Sequence, residues 1–222
     1  MKKLCIFDLD GTLLDTLPDI AYYVNQTMKK FGFSEHDEKA IKSFVGNGAR
    51  NLIVKSVGEG VSATVIDECL DYYNKIYTAS DSERTKLFFG IDELLRTLKK
   101  ENFLLAILTN KPQFTTDKVY EKHLKQYGFD MVVGSGNGVK CKPDKTAAVN
   151  IMEKLDCTPQ NTFLIGDGET DVLTALNAAV CGVAVLWGYR SRSQLTAAGA
   201  KDFAANPKEL YEILKSDNIK KR

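Results

Sequence analysis

Five short apolar runs, separated by stretches of helical periodicity, constrain the fold of this chain more than any other feature. The runs are continuous rather than alternating, which is typical of strands buried on both faces of a parallel sheet. They are "LCIF" (4–7), "LLAIL" (104–108), "MVV" (131–133), "TFLI" (162–165) and "VAVL" (183–186). Apolar side chains recur at helical spacing between the runs. This alternation predicts an α/β core built on a doubly wound parallel sheet.

The segment from 14 to about 84 breaks the alternation, because it has helical patterns and no strand-like run. One apolar stripe extends from Ile20 to Phe31 at helical spacing. We therefore predict that residues 14–84 are an inserted all-helical cap, and that 1–13 and 85–222 together form the α/β core. The two hinges are expected near Leu14–Leu17 and Arg84–Phe88.

Composition and charge exclude several classes of function. The 222-residue chain has a net charge of +1 and no apolar run of membrane-spanning length, so neither nucleic acid nor a membrane is an expected partner. Five scattered cysteines predict free thiols and a reducing, cytoplasmic location. Two histidines are too few for a typical zinc site. A hard cation held by carboxylates remains open, and residues 215–222 are expected to form a solvated tail.

Carboxylates follow two of the predicted strands. Asp8 and Asp10 end the first run, and Asp167 directly follows the fourth, with Asp171 four residues later. The carboxyl ends of parallel strands share one edge, so these side chains converge if the two strands are neighbours. Each aspartate alone could instead cap a helix. Their joint position at strand ends favours a cation site, and oxygen-only ligands suit Mg²⁺.

Two further strand ends carry groups that suit an anion. Thr109 and Asn110 follow the second run and offer a hydroxyl and an amide. Lys142 lies beyond the third run, where a lysine would balance an anion brought to an acidic edge. A plain turn for Asn110 and a solvated loop for Lys142 are the alternative interpretations.

These residues together resemble the motifs of the haloacid dehalogenase-like superfamily. "DLDGT" (8–12), "TN" (109–110), "KP" (142–143) and "GDGETD" (166–171) match its four motifs in order. The resemblance extends over essentially the whole chain. It implies a five-stranded sheet in the order 3-2-1-4-5 and a Mg²⁺-dependent hydrolase of small phosphorylated metabolites.

The resemblance also implies a role for each motif residue. Asp8 would attack phosphorus and become an aspartyl phosphate, while Asp10 would act as general acid and then as general base. Asp8, the backbone carbonyl of Asp10 and Asp167 would hold Mg²⁺, with Asp171 in support. The groups that would hold the phosphoryl oxygens are Thr109, the Asn110 backbone and Lys142. One position departs from the family pattern: Gly168 stands where Ser or Thr is more common, which puts the rigidity of that loop in doubt.

Several other interpretations were weighed against this one. The glycine-rich stretch 134–140 fails as a nucleotide-binding loop because position 139 is Val. Phosphatases for pyrophosphate or sugar phosphates, and a phosphomutase such as β-phosphoglucomutase, share the implied chemistry and stay open. A haloacid dehalogenase in the narrow sense would need neither Asp10 in this role nor Mg²⁺. A non-catalytic protein with this fold would be expected to lack a charged motif residue, and none is missing.

The substrate prediction depends on "VGNGARNLI" (45–53) inside the predicted cap. Gly48 opens a loop whose amides can face a ligand, and the N-terminus of the helix beyond it attracts anions. Arg50 in the first turn would add a bidentate contact to a carboxylate, although a glycine turn with a surface arginine fits the pattern equally well. This segment and "LWGY" (186–189) resemble phosphoglycolate phosphatases. The resemblance implies 2-phosphoglycolate, or a similar small acid phosphate, as the substrate.

Overall fold

The computed structural model describes residues 2–216, and its core is a parallel sheet with helices on both faces. The strands are β1 (Leu4–Phe7), β2 (Leu14–Asp15), β3 (Lys86–Leu87), β4 (Leu104–Pro112), β5 (Met131–Ser135), β6 (Thr162–Gly166), β7 (Cys181–Val185) and β8 (Asp202–Ala204). The helices are α1 (Leu17–Phe31), α2 (Glu38–Phe44), α3 (Gly48–Val57), α4 (Ala63–Ala79), α5 (Ile91–Lys100), α6 (Gln113–His123), α7 (Thr146–Lys154), α8 (Glu169–Asn177), α9 (Arg192–Ala197) and α10 (Pro207–Lys215).

Six strands form the sheet, in the order β5-β4-β1-β6-β7-β8. β1 lies at its centre, and Phe7 is opposite Ile107 of β4 on one side and Ile165 of β6 on the other. The predicted α/β fold is confirmed, and the five predicted strands lie in the expected order. β8 is a sixth strand that the sequence analysis missed. It spans three residues at the sheet edge, too few to show a periodicity.

Apolar side chains cover both faces of the sheet, which explains why the strand sequences do not alternate. Successive strand residues point to opposite faces. Phe7 packs on one face with Leu95 of α5, whereas its neighbour Ile6 packs on the other with Ile151 of α7. All four side chains are fully buried. Parallel strands buried in this way bring their carboxyl ends to one shared edge.

Helices α1–α4 form the helical cap, which has an apolar cluster of its own. Val24 and Met28 of α1 pack there with Ile41 of α2 and Ile53 of α3, all fully buried. Where the cap joins the core, β2 and β3 pair antiparallel, at the two positions predicted as hinges. The exact division of the chain into cap and core stays a prediction.

Within residues 2–216, no helix is both long enough and apolar enough to cross a membrane. Lys215 ends α10, and Ser216 caps it. The rest of the predicted tail lies outside the described residues. The cytoplasmic location stays a prediction.

Candidate active site

The turn after β1 brings the first motif against the fourth. Asp8 N donates to the carbonyl of Ile165 at 2.8 Å, which continues the β1–β6 ladder to the sheet edge. Gly11 has φ +86°, and a Cβ atom there would lie 2.4 Å from Asp167 Oδ2. The turn therefore requires glycine both for its backbone angle and for its close approach to Asp167. Thr12 Oγ1 donates to Asp167 Oδ1 at 2.9 Å and fixes that carboxylate.

Three carboxylates converge at this edge. Asp8, Asp167 and Asp171 each place an oxygen within 4.8 Å of the other two, and we call them the acidic cluster. Lys142 Nζ lies 2.7 Å from Asp8 Oδ1 and 2.6 Å from Asp171 Oδ1. One ammonium thus faces three buried or nearly buried carboxylates, which leaves an excess of negative charge.

The pKa values of the cluster reflect this excess. Burial and the neighbouring charge of Asp171 raise the pKa of Asp8 to about 8, although Lys142 opposes the shift. Burial and Asp171 likewise raise the pKa of Asp167 to about 6. Burial acts to lower the pKa of Lys142, but Asp171 and Asp8 outweigh it and leave that pKa raised. The carboxylates are therefore held close together without enough positive charge to compensate them.

The acidic cluster fits a divalent cation. Its donors are carboxylate oxygens, the ligands that Mg²⁺ and other hard cations prefer. A bound cation would offset both the burial and the mutual repulsion that raise the pKa values of Asp8 and Asp167. Asp171 is held in place by Gly168 N, which donates to its Oδ2 at 2.9 Å. This backbone hydrogen bond connects the loop at Gly168 to Asp171, although the loop lacks the side-chain hydroxyl that Ser or Thr would provide at position 168.

The side chain of Asp10 points away from the acidic cluster and towards the base of the cap. Its Oδ1 accepts from Thr16 Oγ1 at 2.6 Å and from Lys111 Nζ at 3.0 Å. Asp10 was predicted to contribute to a metal site through its backbone carbonyl, and its carboxylate is not part of the cluster. The carboxylate does line the same cavity as Asp8.

Lys111 is a buried cation of the site that the sequence analysis did not single out. Its side chain is 4% exposed, and its ammonium also donates to the hydroxyl of Tyr77 in α4 at 3.0 Å. The same ammonium lies 4.6 Å from the centre of the Tyr77 ring. The sequence did contain a signal for Lys111, which lies between Asn110 and Pro112 at the end of a strand buried on both faces. An unpaired charge is costly at a buried strand end, so a lysine there indicates a buried anionic partner.

The two remaining phosphate-site residues lie at the carboxyl end of β4. Thr109 lines the cavity, and its Oγ1 accepts from Lys111 N at 3.2 Å. The side chain of Asn110 accepts from Lys142 N at 2.8 Å and donates to Lys142 O at 3.2 Å. It also donates to the carbonyl of Gly46 in the cap at 3.1 Å. The Asn110 side chain thus fixes the position of Lys142 relative to the segment around Gly46.

The cavity between cap and core contains Asp8 and Asp10 at one end and Gly48 at the cap side. We call it the chamber. Its free volume is about 60 Å³, well below the several hundred Å³ of a typical drug-sized ligand site. A chamber of this size, with charged groups at one end, suits a small polar molecule.

Arg50 lies outside the chamber, contrary to the prediction of a carboxylate clamp. Its Nη2 donates to Asp67 Oδ1 of α4 at 2.8 Å, and both side chains are more than half exposed. The reason is helical geometry: Ala49 and Leu52, three residues apart, turn one face of α3 to the chamber. Arg50 is rotated about the helix axis by about 100° from Ala49 and by about 160° from Leu52. Gly48 does line the chamber, and its role in substrate specificity stays a prediction.

The residues after β7 connect the acidic cluster to the base of the cap. This segment, residues 187–190, is called the 187–190 loop below. Tyr189 N donates to Asp167 Oδ2 at 2.7 Å, and its hydroxyl accepts from Thr16 N at 3.0 Å. Trp187 Nε1 donates to the carbonyl of Thr12 at 3.0 Å. A Cβ on Gly188 would lie 2.3 Å from that of Asp167, so the loop requires glycine to approach the cluster.

Comparison with known proteins assigns a class to this fold and site. The family described as haloacid dehalogenase-like hydrolase matches residues 5–185. The chain therefore belongs to that family, and within it the chain is a phosphatase.

Three relatives that match nearly the whole chain are described as phosphoglycolate phosphatases, one of them as a candidate. A phosphoglycolate phosphatase of Vibrio parahaemolyticus is 29% identical over 219 residues, which cover 96% of each chain. One from Vibrio vulnificus is 31% identical over 211 residues and 92% of each chain. A solved structure from Lactobacillus delbrueckii, described as a candidate phosphoglycolate phosphatase, has a TM-score of 0.89 at 26% identity. It covers 96% of this chain and 99% of its own.

Proposed function

We propose that this chain hydrolyses small phosphate monoesters through an aspartyl phosphate formed on Asp8. The observation that carries the proposal is the convergence of three carboxylates and Lys142 at the carboxyl edge of the sheet. A carboxylate that faces a cation site and a lysine is suited to attack a bound phosphoryl group, because both positive groups lower the repulsion between two anions.

Asp8, Asp167 and Asp171 would hold Mg²⁺. When bound, the ion would offset charge on the phosphoryl oxygens and help to orient them. Thr12, Tyr189 and Gly168 keep Asp167 and Asp171 oriented through the hydrogen bonds described above. These bonds occupy carboxylate lone pairs from the protein side and leave the acids directed at one point.

Asp10 would protonate the leaving oxygen and then take a proton from the attacking water. It lines the chamber beside Asp8, the proposed nucleophile. Thr16 and Lys111 hold its carboxylate by donated hydrogen bonds. These bonds fix the orientation of the carboxylate beside Asp8, the group that would attack phosphorus.

Thr109 and Lys142 would bind the phosphoryl oxygens. Lys142 already bridges Asp8 and Asp171, so its ammonium lies where a phosphoryl group attacked by Asp8 would carry negative charge. Asn110 fixes the Lys142 backbone on both its N–H and its C=O. The proposed phosphate site is thus organised by β4 and by the segment around Lys142.

The substrate that we propose is 2-phosphoglycolate. Three observations support it: the described activity of the Vibrio relatives, the small chamber, and the buried ammonium of Lys111, which lies beside Asp10 and contacts Tyr77 of the cap. Lys111 and the Tyr77 hydroxyl together would receive a carboxylate two carbons from phosphorus. Arg50 takes no part in this proposal, because it pairs with Asp67.

The test is phosphate release from a panel of substrates with Mg²⁺ and with EDTA. The panel comprises 2-phosphoglycolate, p-nitrophenyl phosphate, pyrophosphate, glucose 6-phosphate and β-glucose 1-phosphate. We expect Mg²⁺-dependent turnover and a kcat/KM for 2-phosphoglycolate at least ~10-fold above the others. A preference for a sugar phosphate or pyrophosphate would contradict the substrate. Isomerisation of β-glucose 1-phosphate would indicate a mutase, and absence of any metal-dependent turnover would contradict the enzymatic proposal itself.

A further inference from the structure

Arg190, in the 187–190 loop, joins the core to the cap beside the chamber. The side chain of Arg190 is 8% exposed and uses all three of its nitrogens. Nε donates to both oxygens of Glu169, at 2.9 and 3.2 Å. Nη1 donates to the carbonyl of Lys42 at 3.0 Å, and Nη2 donates to that of Val45 at 2.5 Å. A buried guanidinium with every nitrogen engaged is a fixed point rather than a surface contact.

The two carbonyls belong to the carboxyl end of α2 and the residue that caps it. The last carbonyls of a helix have no partner inside it and carry partial negative charge, so a cation is favoured there. Arg190 supplies that cation from the core. The guanidinium also lies close to the backbone of Gly46, where an added Cβ atom would be 3.3 Å from Nη2.

The segment after α2 forms part of the chamber wall. Val45, Gly46 and Gly48 line the chamber, and we call residues 45–48 the cap loop. Two core side chains hold it: Arg190 through the carbonyl of Val45, and Asn110 through the carbonyl of Gly46. The peptide groups of this loop therefore have their orientation set by the core, not by the cap alone.

The other end of the contact lies next to the acidic cluster. Glu169 is the first residue of α8, between Asp167 and Asp171 in the sequence. Tyr189, the neighbour of Arg190, donates to Asp167. Hydrogen bonds therefore link the cap loop to Arg190 and Arg190 to Glu169, and the backbone joins these two residues to groups of the acidic cluster.

We infer that Arg190 is a positioning residue, held by Glu169, that fixes the cap loop against the substrate. The kinetic part of this inference rests on the proposed function. Arg190 does not itself line the chamber, so it acts through Val45, the lining residue whose carbonyl it binds. Loss of this contact should weaken binding of the part of a substrate that faces the cap and leave the phosphoryl-transfer groups in place.

The experiment compares Arg190→Gln with Arg192→Gln, which is a matched control. Arg192 is an exposed arginine two residues away, and it stacks on Phe203 at 4.2 Å within the core. For Arg190→Gln we expect KM for 2-phosphoglycolate to rise about tenfold, with kcat changed less than about threefold. Arg192→Gln should leave both constants unchanged. A fall in kcat with unchanged KM, or equal effects of the two variants, would overturn the inference.

Amide hydrogen exchange over residues 42–48 gives a readout that does not depend on activity. We expect exchange there to be at least ~10-fold faster in Arg190→Gln than in wild type or Arg192→Gln. Unchanged exchange would also overturn the inference, whichever substrate the enzyme uses. If the wild-type protein has no Mg²⁺-dependent turnover, the proposed function is refuted. The hydrogen-exchange result alone then decides whether Arg190 positions the cap loop.

Two further variants keep the test sharp if Arg190→Gln does not fold. Arg190→Lys retains the positive charge beside Glu169 but cannot reach both carbonyls as well, so it should reproduce the faster exchange. Glu169→Gln keeps an acceptor for Nε and removes the charge, so it should have an intermediate effect. Wild-type exchange in both variants would contradict the positioning role.

Discussion

The ammonium of Lys111 lies 3.0 Å from the carboxylate of Asp10. It also donates to the Tyr77 hydroxyl, so a single core lysine joins the proposed general acid to the cap. The side chain of Lys111 is 4% exposed, so its ammonium is held by these two contacts rather than by bulk water. Under the proposed function, a substrate carboxylate would be a second anion beside this ammonium. Lys111 would then contact both the substrate and the proposed general acid.

Replacing Lys111 by Met should cost activity selectively. We expect kcat/KM to fall for both substrates, and the fall for 2-phosphoglycolate to exceed that for ethyl phosphate, which has no carboxylate, by a factor of ~10–10². Disturbance of Asp10 affects both substrates, because both have poor leaving groups. The carboxylate contact affects 2-phosphoglycolate alone. Steady-state kinetics on the two substrates measures the difference.

Arg50→Ala is the control for that experiment. Because Arg50 pairs with Asp67 at the cap surface, its loss should change kcat/KM for either substrate by less than about twofold. Equal losses on both substrates in Lys111→Met would contradict the carboxylate contact. A selective loss in Arg50→Ala would restore the clamp that the sequence suggested.

Replacing Asp8 by Asn should abolish turnover. The change removes the proposed nucleophile and one member of the acidic cluster, so kcat should fall by at least ~10⁴, roughly 5 kcal/mol of barrier. Phosphate release from p-nitrophenyl phosphate measures it. Asp117→Asn, a surface aspartate bonded to Gln113 at 2.7 Å, is the control and should be fully active. Comparable turnover in Asp8→Asn and wild type would falsify the assignment.

The core of the site could be predicted because it follows from strand ends. Asp8 and Asp167 stand directly after buried runs, and parallel strands bring such residues to one edge whatever the packing details. In the structure β1 and β6 are neighbours, paired from Leu4 to Phe7, so the residues that follow them do lie at one edge. Sequence position and side-chain chemistry were sufficient there.

The cap side could not be predicted in the same way. Whether Arg50 faces the chamber depends on its angle about the axis of α3, and a shift of one residue changes that angle by about 100°. Arg190 binds backbone carbonyls of Lys42 and Val45, and such carbonyls are present in every sequence. No residue pattern marks that contact. The structure was needed to find it.

Stability without divalent metal should fall as pH rises from about 4 to about 8. The pKa of Asp8 is raised from 3.8 to about 8 and that of Asp167 to about 6. The folded chain therefore keeps protons that the unfolded chain has released, and each proton lost with rising pH favours unfolding. Saturating Mg²⁺ replaces those protons. The Mg²⁺-induced rise in Tm should thus be larger at pH 8.5 than at pH 6, by at least ~3 °C.

Thermal denaturation in EDTA and in Mg²⁺ at the two pH values measures this difference. Groups far from the cluster cancel in the comparison, including His123, whose pKa is lowered by burial. Asp8→Asn removes the most shifted carboxyl and should reduce the pH dependence of the Mg²⁺ effect. An effect of Mg²⁺ that is equal at both pH values would contradict cation binding at the acidic cluster.

The junction of cap and core depends on a buried carboxylate, that of Asp19. This side chain is fully buried at the start of α1. Its Oδ2 accepts from Thr85 Oγ1 at 2.7 Å and from Arg84 N at 3.1 Å. Asp19 thus ties the segment that enters the cap to the segment that leaves it, beside the β2–β3 ladder.

Asp19→Ala should lower the free energy of unfolding by about 2–4 kcal/mol, because it leaves a buried hydroxyl and a backbone N–H without their acceptor. Urea denaturation measures the change. Asp37→Ala is the control: this exposed aspartate caps α2 by accepting from Ala40 N at 2.7 Å, so its loss should cost about 1 kcal/mol. In the double variant Asp19→Ala/Thr85→Val, the loss of unfolding free energy should be smaller than the sum of the losses in the two single variants. Both changes remove the same hydrogen bond, from Thr85 Oγ1 to Asp19 Oδ2. Simple additivity, or equal costs for Asp19→Ala and Asp37→Ala, would contradict the role of Asp19 at the junction.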